Sequence, residues 1–154
     1  MNNHPASTFF RVSGAANLGL HAMAVLAGAG DRVVRTREIA VGLKASASHL
    51  AKVMGALERA GLVLGTRGPS GGFRLARPAE RVRLKEIYEA VEGPLLAGKC
   101  LFGVPACNGE RCILGGFFGR VNRQVESKLT RTRLSEIALK IGVKHGKAKK
   151  DHPG

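Results

Sequence analysis

The 154-residue chain has no tryptophan, one tyrosine and six phenylalanines, so aromatic residues make up only 5% of it. Stacking unpaired bases needs a supply of rings, which makes single-stranded nucleic acid a poor fit. Acidic residues are scarce too. Eleven Asp and Glu face 25 Lys and Arg, and the resulting formal charge of +14 favours an anionic partner, duplex DNA before single strands. No apolar run approaches the roughly 18 residues of a membrane-spanning helix. The start MNNHPASTFFR lacks the basic opening and apolar core of a secretory signal, so a cytoplasmic protein with no membrane partner is expected. A CxxC pair, a nucleotide-binding glycine fingerprint and a His-acid constellation are all missing, and an enzyme is not expected. The three cysteines are an odd number that cannot all pair within one chain, and a reducing cytosol keeps them as thiols.

What is present is 44% apolar residues, enough for one compact domain or a domain plus a dimerisation arm. No internal repeat is found. Between Arg32 and Arg83 eleven basic residues face only Glu38, Glu58 and Glu80, whereas the following LKEIYEAVEG is acidic. The positive charge is therefore patterned.

From Val12 to Ala29 the spacing of Leu18, Ala22, Val25 and Ala29 predicts a buried first helix. Thr36 is placed to cap a short second helix with Ile39, Ala40 and Leu43 on its apolar face. Ser46 is placed to cap a third, in which Leu50, Val53, Met54 and Leu57 fall at i, i+3, i+4 and i+7. The opposite face carries Ser48, Lys52, Gly55 and Arg59, small or basic and none acidic, as a recognition helix requires; an ordinary solvated face has the same look. Leu62-Val63-Leu64 and Phe73-Arg74-Leu75 then read as strands joined by the turn TRGPSGG. Directly after such a helix, this hairpin reads as the wing of a winged helix rather than as a plain connection. Its tip, with Arg67, Gly68 and Pro69, suits a minor groove.

Leu84, Ile87, Tyr88 and Val91 make a fourth helical stripe, closed by Gly93 and Pro94. From Ile113 to Leu129, a seam of Leu114, Phe118, Val121, Val125 and Leu129 needs covering, by the same helix of a second copy or by the chain's own first helix. Leu134, Ile137, Ala138 and Ile141 suggest a last short helix, and the lysine-rich VKHGKAKKDHPG reads as a disordered tail. Between the fourth helix and the seam, Cys100, Cys107 and Cys112 lie in a loop at C-x6-C-x4-C. Three thiolates so placed can converge on one soft metal centre, an iron–sulfur cluster or zinc, or remain free thiols. Lys99 and Arg111 favour the thiolate in every case.

The run TREIAVGLKASASHLAKVMGALERAGLV, the wing TRGPSGGFRLARP, then LKEIYEAVEG and a three-cysteine loop before a long helix closely resemble the Rrf-two type winged-helix regulators, the IscR/NsrR/RirA-like family. The resemblance runs from about Arg11 to Leu139. It implies a mainly α fold with a small β-hairpin: a winged helix-turn-helix DNA-binding domain followed by a long C-terminal dimerisation helix. It also implies a homodimer on a pseudo-palindromic DNA operator. Its cluster, 2Fe-2S or 4Fe-4S, would be bound through Cys100, Cys107 and Cys112 and would modulate DNA affinity. Members of the family complete the cluster with a fourth, non-cysteine ligand. Here glycines follow Cys112, so the resemblance points instead to the partner subunit's first helix, with His21 as candidate and Asn17 as the weaker one.

The organisation expected is an N-terminal extension over 1–10, the winged domain over 11–93, a sensor loop over 94–112, dimerisation and terminal helices over 113–142, and a basic tail over 143–154. On DNA, Ser46, Ser48, His49 and Lys52 would meet phosphates and base edges, Arg59 and Arg74 phosphates, and Arg67, Gly68 and Pro69 the minor groove. Ala51 offers only a methyl contact to thymine. The alternatives are a cluster-free thiol switch, a zinc-bound regulator, or a redox or RNA-binding protein.

Overall fold

The computed structural model describes residues 12–95 and 116–138. The expectations for the N-terminal extension, the cysteine loop, Leu114, Ile141 and the tail lie outside the described residues. Among the described residues, helices and a hairpin follow in the order α1 (Gly14–Ala29), α2 (Thr36–Gly42), α3 (Ala47–Arg59), β1 (Val63–Thr66), β2 (Gly72–Leu75), α4 (Leu84–Glu92), α5 (Phe117–Arg131) and α6 (Leu134–Ala138), with a 3-10 turn at Ala79–Arg81. This is the mainly helical winged architecture expected.

Helix α1 is the hub, packed against α3, α4, α6 and β2. Its apolar residues run nearly all the way round, and a helix of that kind must be buried on several sides; Ala16, Ala22, Met23 and Leu26 are fully enclosed. It starts two residues later than expected because Ser13 is the cap, its Oγ accepting from the Ala16 N–H at 3.0 Å. All four stripe residues of α3 are buried, as are Leu84, Ile87 and Tyr88 of α4.

Thr36 opens α2 without capping it; Arg35 holds the cap position in an extended conformation and makes no side-chain cap bond. The reason lies one residue earlier. Val34 is drawn into a backbone bridge with Phe73, donating to its carbonyl at 2.8 Å and accepting from its N–H at 2.9 Å. Extended chain therefore continues through Arg35, and the hairpin gains a third strand-like edge that periodicity did not reveal.

The hairpin pairs Val63 with Leu75, Leu64 with Arg74, Gly65 with Phe73 and Thr66 with Gly72. The close approach of Val34 requires Gly72, since a Cβ there would meet the Val34 carbonyl oxygen at 2.2 Å. At the tip Gly68 takes φ 101, a region that only glycine enters without strain.

Helix α5 is tied down at its C-terminal end. The Leu84 N–H donates to the Thr132 carbonyl at 3.2 Å, and the Leu134 N–H to the Val82 carbonyl at 2.9 Å. Leu129 is buried, whereas Phe118, Val121 and Val125 stay half-buried and Phe117 is 52% exposed. Among the described residues, the chain's own helices thus cover only one end of the seam. Among the described residues no helix is long and apolar enough to cross a membrane.

Candidate nucleic-acid interface

The apolar stripe of α3 fixes what the rest of that helix presents. With Leu50, Val53, Met54 and Leu57 turned into the core, Ser48, Lys52 and Arg59 are exposed, and Gly55 between them is half-buried. Ser46 caps the helix as expected; its Oγ accepts from the His49 N–H at 3.5 Å and lies 2.9 Å from the Ser48 Oγ. The two hydroxyls therefore sit together at the positive end of the α3 dipole, a place suited to phosphate oxygens. The guanidinium of Arg59 folds back towards Gly55.

The wing follows α3 after three residues. Arg67, Gly68, Pro69 and Arg74 are all exposed, on the tip and on β2. Between the wing and the end of α3 runs a cleft of about 370 Å³, lined by Thr36, Glu58, Arg67 and the hairpin glycines. Glu58 accepts a hydrogen bond from the Gly65 N–H at 3.1 Å. Sequence reasoning counted Glu58 only as one acid among many bases, because a bond from a backbone amide leaves no pattern in side-chain identity.

The two candidate ligands on α1 are exposed. His21 Nδ1 lies 2.8 Å from the Asn17 carbonyl oxygen. With Nδ1–H donating to that carbonyl, Nε2 keeps its lone pair, the tautomer that metal ligation needs. His21 and Asn17 share a second cleft of about 370 Å³ with Ser46 and His49, so the structure brings the candidate ligands beside the start of α3. Cys100, Cys107 and Cys112 lie outside the described residues, and among the described residues no group of three His, Cys, Asp or Glu could hold a metal ion. The donor chemistry of three thiolates and one free imidazole nitrogen nevertheless suits an iron–sulfur centre.

On α5, Arg120, Arg123, Lys128 and Arg131 line a cleft of about 600 Å³ closed by Glu136 of α6. Their spacing along one helical face was readable, but only the α5–α6 turn makes it concave.

A family model described as an iron-dependent transcriptional regulator, Rrf2, matches residues 12–140. The chain belongs to the Rrf2 family. It is 35% identical over 111 residues to the HTH-type transcriptional regulator IscR of Cereibacter sphaeroides, a match that spans 70% of this chain and 72% of that one. Among solved structures it is similar to CymR, the global cysteine regulator of B. subtilis, with a TM-score of 0.72 and 25% identity over 86% of this chain and 99% of that one. It is likewise similar to T. potens IscR, with a TM-score of 0.65 and 25% identity over 86% and 89%. Rrf2 relatives of this kind are transcriptional regulators, not enzymes. The family places this chain among helix-turn-helix regulators.

Proposed function

We propose that the chain is a homodimeric regulator that binds a pseudo-palindromic DNA operator, with an iron–sulfur cluster on its cysteine segment setting the affinity. The observation that carries this reading is the exposed face of α3, Ser48, Lys52 and Arg59, set beside a wing whose Arg67 and Pro69 are also exposed. Ser46 and Ser48 orient phosphate at the helix start, His49 and Lys52 reach base edges and backbone, and Arg59 and Arg74 hold flanking phosphates. Arg67, Gly68 and Pro69 enter the minor groove. A second copy covers Phe117, Phe118 and Val121 of α5, and the two-fold axis so formed spaces two recognition helices for two half-sites.

The cluster would be held by Cys100, Cys107 and Cys112 with His21 of the partner subunit, and Asn17 as the weaker substitute. It supplies a redox- and iron-sensitive cross-link between subunits when bound. The shared cleft of His21, Asn17, Ser46 and His49 supports a short route from that ligand to the start of α3. Gly116 and Gly119, at the start of α5, are where the cysteine segment can transmit a change into the dimer helix.

Anaerobic purification with iron and sulfide analysis, followed by genomic footprinting of cluster-bearing and cluster-free protein, tests the reading. Visible absorption with stoichiometric iron and a footprint that changes with the cluster is the expected result. A colourless, iron-free protein whose footprint follows thiol oxidation would replace it with the thiol switch. Zinc in the purified protein would replace it with a zinc site.

A further inference from the structure

Glu58 is out of place by charge. It stands in the last turn of α3, where a carboxylate opposes the helix dipole, and it neighbours Arg59 on a helix that faces phosphate. Hydrogen bonding supplies the reason. Both backbone groups of Phe73 are engaged by Val34 on the far side of β2, so the facing pair Gly65 and Phe73 is the non-hydrogen-bonded kind, and the Gly65 N–H points away from β2. It is the outward amide of an edge strand, and the Glu58 carboxylate accepts from it at 3.1 Å. A Cβ at position 65 would stand 2.6 Å from Glu58 Oε1 and 3.2 Å from Phe73 Cε1, so a side chain there makes the carboxylate shift.

We infer that Glu58 is the residue that sets the wing's angle on the recognition helix, acting as a strut from the end of α3 to β1. The inference rests on the DNA-binding reading above and deepens it. The cleft between α3 and the wing is spanned at this point by Glu58, with Arg67 at the tip beyond. With the strut in place, the base-reading face of α3 and the groove-entering tip move as one body. Without it, the hairpin hinges about its Val34 edge, and Arg67 no longer lies in register with Lys52. Glu58 touches no base in this account; it is a positioning residue.

A charge role and a strut role make opposite demands, and three variants separate them. Glu58→Gln keeps the acceptor and removes the charge. Glu58→Ala removes both. Gly65→Ala keeps the charge and displaces the carboxylate. The probe is a duplex enriched from a random pool by the full-length wild-type protein, and the second readout is hydrogen exchange of the Gly65 amide. Expected are E58Q binding at least as tightly as wild type, E58A and G65A binding roughly tenfold more weakly than E58Q, and faster Gly65 exchange in those two alone. Footprinting should show minor-groove protection lost while major-groove protection stays. Equal binding by E58A and E58Q, or unchanged Gly65 exchange in E58A, overturns the strut and leaves DNA binding standing. If wild type enriches no duplex at all, the DNA-binding reading itself falls, and the strut's role in placing the wing falls with it.

Discussion

Lys85 Nζ on α4 and Glu126 Oε1 on α5 lie 2.9 Å apart, and the same ammonium stands 4.0 Å from Glu89 Oε1 one turn along α4. The pair ties α5 to α4 beyond the backbone bonds at Thr132 and Leu134. The hydrogen bond to Glu126 raises the Lys85 pKa above the ordinary lysine value, with the charges of Glu126 and Glu89 adding and desolvation opposing. A raised folded-state value means stability that is fully present below the unfolded lysine pKa and is lost as pH rises through the folded one. Glu126→Gln should therefore lower the melting temperature slightly at neutral pH and make no difference in strongly alkaline buffer. A gap between the two proteins that widens with alkalinity would contradict this.

Lys52→Ala should weaken binding to operator and random duplexes alike and flatten the salt dependence of log affinity by about one unit, because one phosphate contact is lost. Titrations at several salt concentrations check it. A loss confined to one base position would assign Lys52 to base reading instead.

Phe117, 52% exposed and edge-on to Phe118 with ring centroids 6.5 Å apart, belongs to the face of α5 that the other described residues leave open. Phe117→Asp should shift the protein towards monomer in sedimentation while leaving its far-ultraviolet circular dichroism intact. A dimer of unchanged stability would show that another surface joins the copies.

Leu57 is fully enclosed at the base of α3. Leu57→Ala removes buried methyls and leaves a cavity, so about 2–5 kcal/mol of stability should go, measured by denaturant unfolding. Because the change touches no exposed residue, the variant should still bind DNA at temperatures where it stays folded. Full stability would mean that the site collapses around the smaller side chain.

His21→Ala should lower the iron retained by anaerobically purified protein without altering helix content, since the His21 ring is exposed and, among the described residues, bonds to the Asn17 carbonyl of its own helix. Asn17→Ala should do so less. Equal iron in both variants and in wild type would remove α1 from the ligand set.

Much of the candidate site was legible because its signals are local. Leu50, Val53, Met54 and Leu57 repeat with the helical period, and that alone determined which face of α3 turns inward and left Ser48, Lys52 and Arg59 outside. The glycines from Gly68 to Gly72 marked the wing by the same token: the φ at Gly68 and the crowding at Gly72 admit no side chain. The stop of α4 at Gly93 is likewise written in one residue. What only the tertiary structure decided are the partnerships made through the backbone. Val34 joins Phe73, Leu134 joins Val82, and the Gly65 amide reaches Glu58. It also placed His21 of α1 in one cleft with Ser46 and His49 of α3. Every non-proline residue carries the same N–H and C=O, so bonds between them leave no trace in the order of side chains. They appear only when packing of the apolar stripes has brought distant segments together.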